Sequence, residues 1–181
     1  VANKVIFFRD PDRVGKYNTE HTGYLKGDAV PDAIDQFGFR TDTTAEDAFR
    51  FLDPEKPEKP GGESCETVNA AFSDQYFSTF TYDASSETYL KQHSGKPHMD
   101  QKADKQLDFT NVILLQTDIH TRPDGYLMDV ALKGGTGYYI SLGEAQEIKW
   151  TKDAEDQPIR LFDQSGKELS LNAGKSYIGL I

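Results

Sequence analysis

The stretch FTNVILLQTDIHTRPDGYLMDVAL (109–132) carries the strongest β signal in the chain. Its first part, FTNVILLQTDI (109–119), is the most apolar run in the chain. It is too short for a membrane span and reads as a central strand buried on both faces. RPDG (122–125) is a strong turn signal, and YLMDVAL (126–132) is expected to pair back antiparallel across it.

Working outward from this strand, the same grammar repeats. Upstream, ETVNAAFS (66–73) and YFSTFTYD (76–83) alternate in places, and ETYLKQH (87–93) follows a DASS turn as the second arm of a hairpin. Downstream, GGTG (134–137) is expected to break the chain before YYISL (138–142). EAQEIKW (144–150), PIRLFD (158–163), KELSLN (167–172) and SYIGLI (176–181) continue the series, with QSGK and NAGK as hairpin turns. Short strands at regular spacing with Gly turns predict a mainly β, α+β architecture: an antiparallel sheet domain with one N-terminal helix.

That helix is expected at TTAEDAFRFL (43–52), with Asp42 or Thr43 as N-cap, acids in the first turn, and Ala45, Ala48, Phe49 and Leu52 at helical spacing. Pro54 stops it. The following DPEKPEKPGGES (53–64) is a linker by composition. The expected division is therefore 1–53 as the remnant of an N-terminal domain, 54–64 as linker, and 65–181 as the β domain. The opening VANKVIFFRD contains a short strand candidate, KVIFF (4–8), and no signal-peptide pattern. It reads as a strand entered part-way through a fold, as in a fragment or a processed form.

Thirty acidic and twenty basic residues give a net charge of −10, which argues against a nucleic-acid backbone as partner. No run approaches the roughly 18 apolar residues of a membrane helix. Eleven Phe, nine Tyr and one Trp supply the bulk for a core that is otherwise poor in aliphatic residues. The single cysteine, Cys65, lies between acids and is expected to be an inert thiol.

Several constellations invite a chemical reading. His93, His98 and Asp100 in KQHSGKPHMD have donor types suited to a metal, against the plainer reading of a hairpin loop with Asp100 capping its turn. Tyr138, Trp150 and Tyr177, with Tyr139, could form an aromatic platform for sugar faces, with Glu144 and Glu147 nearby for hydroxyls. Adjacent Tyr138 and Tyr139 point to opposite faces of a strand, and the alternative is aromatic core. Arg9, with Asp10, Asp12 and Arg13, could hold a carboxylate or phosphate, or form a mutually paired surface cluster. GGTGYY lacks the phosphate-loop pattern and reads better as close strand approach. Asp153, Glu155 and Asp156 read as an exposed acidic loop, unlike a glycosidase pair. No nucleophile elbow or His-Glu-x-x-His motif is present, and no cofactor is expected.

FTYDASSETYLKQHSGKPHMD (80–100), QLDFTNVILLQT (106–117), GGTGYYISLGEAQEIKWTK (134–152) and IRLFDQSGKELSLNAGKSYIGLI (159–181) together resemble the C-terminal domain of the YerB-like lipoproteins, a family of unknown function in Gram-positive envelopes. FFRDPDR (7–13) resembles the end of that family's N-terminal domain, most of which is absent here. After Asp10 the chain departs from the family's Pro-His-Asn stretch. The resemblance implies an extracytoplasmic parent, held at the membrane by a lipid anchor that Cys65 does not supply. It carries no catalytic residues. The expected function is a binding or scaffold module of the cell envelope whose ligand is an envelope glycan or an envelope protein. The alternative is an enzyme acting on cell-wall polymer, with metal assistance through His93, His98 and Asp100.

Overall fold

A computed structural model describes residues 6–42 and 47–181. Backbone contacts divide the chain into two units, 1–45 and 46–181.

In the first unit, β1 (Phe7–Arg9) pairs antiparallel with β2 (Gly23–Leu25), followed by helix α1 (Val30–Phe37). Pro31 lies in the first turn of α1, where its missing N–H costs nothing. Gly38, at φ 62°, ends the helix in the left-handed conformation. The helix expected at 43–52 is not found: residues 43–46 lie outside the described residues, and Asp47–Leu52 is not helical. Instead β3 (Arg50–Phe51) pairs parallel with Ser170–Leu171, and Phe49 packs into the core. The packing of Phe49 and a strand partner about 120 residues away override a local helical preference of a few tenths of a kcal/mol per residue.

The second unit continues through β4 (Glu63–Ser64), β5 (Thr67–Ala71), β6 (Phe77–Asp83), β7 (Thr88–His93) and β8 (Lys96–Pro97). β9 (Met99–Asp100) and β10 (Lys105–Gln106) pair with each other and lead to β11 (Asp108–Phe109) and β12 (Asn111–Leu115). A projecting ribbon follows, β13 (Ile119–Thr121) and β14 (Met128–Val130). Then come β15 (Gly134–Ser141), β16 (Glu144–Thr151), β17 (Arg160–Phe162), β18 (Ser170–Leu171) and β19 (Ser176–Leu180). One sheet runs β11-β7-β6-β5, with β8 beside β7, and the other β17-β16-β15-β12-β19, with β4 beside β16.

β12 is the central strand read from the sequence: all five of its residues are buried. Val112 and Leu114 pack with Val68, Ala70, Phe80, Tyr89 and Ile140. Ile113 and Leu115 turn the other way, onto Tyr139, Ile148, Trp150, Leu161 and Leu171. Each such buried aliphatic side chain stabilises by about 1.5–3 kcal/mol.

Three local expectations change. The strand expected over 109–119 ends at Leu115, and the pairing across RPDG is confined to the ribbon, Ile119↔Val130 to Thr121↔Met128. GGTG lies inside β15, because close approach requires glycine there: a Cβ on Gly137 would sit 2.3 Å from the Leu114 carbonyl oxygen. NAGK joins no hairpin; β19 crosses to pair parallel with β12, from Asn111↔Ser176 to Leu115↔Leu180.

The segment with linker composition is strapped along β18 and then onto β16 of the second sheet, within the second unit. Leu52 N–H donates to the Leu171 carbonyl at 2.8 Å, and Gly61 N–H to Glu144 Oε2 at 3.1 Å. Glu63–Ser64 pairs with Ala145–Glu144. At its middle, Glu58 N–H donates to Asn172 Oδ1 and the Glu58 carbonyl accepts from Asn172 Nδ2, both at 2.8 Å. Asn172 belongs to a buried network: its N–H reaches Tyr139 Oη at 3.0 Å, Tyr139 Oη donates to Asn111 Oδ1 at 3.0 Å, and its Nδ2 reaches Ser141 Oγ at 2.9 Å.

Candidate functional site

Two surfaces of the second unit stand out chemically. The first is built on the hairpin of β7 and β8. Ser94 and Gly95 both have positive φ, 46° and 77°, so two residues turn the chain tightly. The resulting register sets Lys96 opposite His93, and His93 opposite Ser78 of β6. His98 N–H donates to the Lys91 carbonyl at 3.0 Å, which places His98 beside Lys91. Directly opposed residues share a face, and so do residues two apart. Lys91, His93, Lys96 and His98 therefore lie on one face of this sheet.

Lys91 is 4% exposed, unusual for lysine. Its Nζ donates to His98 Nδ1 at 3.0 Å and lies 5.9 Å from the Phe80 ring centre and 5.6 Å from that of Tyr177. Among the described residues, no carboxylate makes an ion pair with it. Burial pulls the Lys91 amine below its ordinary pKa. The His98 imidazole is also pushed down, by burial first and then by the charges of Lys91 and His93. The His93 ring stacks with Tyr76 at 6.3 Å and lies 5.8 Å from the His98 ring.

This arrangement does not assemble the ligand set expected of His93, His98 and Asp100. The Asp100 carboxylate accepts the backbone N–H groups of Lys102 and Ala103, both at 2.9 Å, which holds its pKa low; it caps its own turn. The place beside His98 Nδ1 is filled by an ammonium group. Among the described residues, no group of three or more His, Cys, Asp or Glu side chains converges for a metal.

Nor are the aromatic residues brought together. Trp150 is 1% exposed, its Nε1 donating to the Gln116 carbonyl at 3.1 Å, so its ring has no face for a sugar. Tyr177 packs on Phe80 and Phe109, with the other core cluster. Tyr138 alone is exposed, while neighbouring Tyr139 is buried. Arg9, in the first unit, has its guanidinium bonded to Thr22 Oγ1 at 2.9 Å and to the Thr19 carbonyl, and lies over the Phe7 ring at 5.5 Å. It ties β1 to the turn before β2. Cys65 is half-buried, its thiol raised by desolvation.

The second surface is the ribbon β13–β14. Arg122 N–H donates to the Leu127 carbonyl at 2.7 Å, and Asp124 Oδ1 accepts from the N–H groups of Tyr126 and Leu127. Pairing sets Ile119, Thr121, Met128 and Val130 on one face, and His120 and Asp129 on the other. Asp129 is ion-paired with Arg122 and lies 3.8 Å from His120. The apolar face has no partner in either core cluster; Tyr126 at the tip is 90% exposed, and Leu127, Met128 and Leu132 are also exposed.

Lys91 was missed in the sequence, although its signal is legible. Lys-x-His-Ser-Gly-Lys-x-His (91–98) places four basic side chains at period two around a two-residue turn.

No curated protein matches the chain. The crystal structure of YerB protein from Bacillus subtilis is similar to it, with a TM-score of 0.75 at 21% identity over 99% of this chain. The chain spans 57% of the length of that protein. A family model described as "Protein of unknown function (DUF3048) C-terminal domain" matches residues 68–178. The chain therefore belongs to the DUF3048 family, and its two packed sheets carry that family's C-terminal domain.

Proposed function

We propose that this chain is a non-catalytic binding module of an extracytoplasmic protein, and that it holds a protein partner of the cell envelope on the β13–β14 ribbon. One observation carries the reading: an amphipathic ribbon that leaves its apolar face and tip in water. Such a patch marks an interaction surface. Its chemistry favours a protein. Aliphatic Ile119, Leu127, Met128 and Val130 offer no hydrogen bonds to sugar hydroxyls, and burial of Trp150 removes the largest ring from any glycan platform. Asp118, Asp124 and Asp129, with a net charge of −10, disfavour an anionic leaflet. Contact with the membrane then comes only through the lipid anchor of the parent. The likeness to YerB-like lipoproteins supports the extracytoplasmic setting.

The test places a photo-crosslinking amino acid at Tyr126 in cells that make the full-length protein. One discrete adduct is expected; its partner, purified, binds this chain one to one, with at least a tenfold loss in Leu127→Asp/Met128→Asp. Absence of an adduct, or binding indifferent to the double substitution, overturns the reading. The melting temperature of the double variant should match the parent, so misfolding does not imitate the result.

A further inference from the structure

We propose that the face carrying His93, Lys96 and His98, backed by Lys91, is a binding site for phosphate groups. In a chain with ten excess negative charges, this hairpin gathers four basic side chains on one face. A buried ammonium ordinarily sits against a carboxylate, because an uncompensated charge out of water costs several kcal/mol. Lys91 has instead an imidazole nitrogen and two aromatic rings.

That contact has a directional consequence. Lys91 Nζ can bond His98 Nδ1 as donor only if that nitrogen holds a lone pair, so the neutral ring of His98 carries its proton on Nε2. Half-buried His98 thereby presents an N–H donor, without needing to be charged. Lys91 is a positioning residue; Lys96, His93 and His98 Nε2 make the contacts. Strand spacing of about 4.8 Å and a two-residue step of about 6.7 Å set the backbone anchors of these donors wider apart than the oxygens of one phosphate. The site therefore suits a ligand with successive phosphates. Lysine and histidine donors act as separate point contacts, without the planar fork with which arginine selects carboxylates. This inference is independent of the ribbon and survives its failure.

The experiment follows the His93 and His98 ring resonances by NMR at fixed pH during titration with orthophosphate and, separately, inorganic tripolyphosphate. Tripolyphosphate should shift both rings along one saturating curve, about tenfold tighter than orthophosphate, which identifies a phosphate chain. Equal affinities would assign the site to a single free phosphate. Lys96→Glu, an exposed substitution, should weaken tripolyphosphate at least fivefold. Nitrogen-15 shifts should report the Nε2–H form of His98, lost in Lys91→Met while Lys91→Arg retains it. Unsaturable shifts at both rings with either ion, or binding unaffected by Lys96→Glu, overturns the proposal, whether or not Lys91→Met folds.

Discussion

The strap (53–64) has the composition of a solvated linker, while the ribbon (119–130) adjoins the most apolar run in the chain. The strap has prolines, glycines and alternating charge, yet Glu58 is bonded to Asn172 just after β18, and Gly61 and Ser64 to β16 of the second sheet. The ribbon follows directly on that run, whose core part is buried in β12, yet its Tyr126, Leu127 and Met128 stand in water. Placement follows from where backbone and side-chain bonds can be completed, as much as from hydropathy. Proline suits an extended strap, since it needs no N–H partner and loses little freedom on ordering. A lone two-stranded ribbon completes its own ladder and leaves one face for another molecule.

If the strap is held by its bonds and the ribbon by none to the core, substitutions in the two regions should differ in cost. Asn172→Ala should be the most damaging, because it removes the partner of both the Glu58 N–H and the Glu58 carbonyl and one of the bonds to the Ser141 hydroxyl. A loss of about 3 kcal/mol in urea unfolding is expected, with new protease cleavage inside the strap. Cleavage no faster than in the parent would show that the strap is held elsewhere. Gly62→Ala comes next: its Cβ would meet the Ala145 carbonyl oxygen at 1.8 Å, so the strap must lift. About 2 kcal/mol should be lost, with faster amide exchange at Ser64.

A pH titration is gentler. Lys59 first, and Gly61 N–H as well, hold the Glu144 carboxyl below its ordinary 4.5. Since the folded value is depressed, this contribution is present above pH 4.5 and disappears as pH falls through the folded value. The Gly61 amide resonance should follow that titration with a midpoint under 4.5; a midpoint at or above it would remove Glu144 as an anchor. The ribbon should respond least. Leu127→Asp/Met128→Asp is expected to change unfolding free energy by less than about 0.5 kcal/mol. A larger loss would mean that the ribbon stabilises the fold after all.

What could be read from residue order is what local patterns encode. Period-two alternation and Gly or Asp turns located most strands, the DASS hairpin and the both-sides-buried strand at Asn111–Leu115. Asp100 capping its own turn was equally local, an interaction between residues two and three apart. The expected helix does not hold over Asp47–Leu52: an amphipathic pattern is satisfied equally by Phe49 packing into the core beside a short strand. The basic spacing of Lys91 to His98 was in plain view, but the burial of Lys91 was not, since Phe80 and Tyr177 reach it from strands 11 and 86 residues away. The same distance rule separated Trp150 from Tyr177. Aromatic character is a property of the residue, but the side of β12's sheet on which a ring falls depends on pairing register, where one step reverses every side chain.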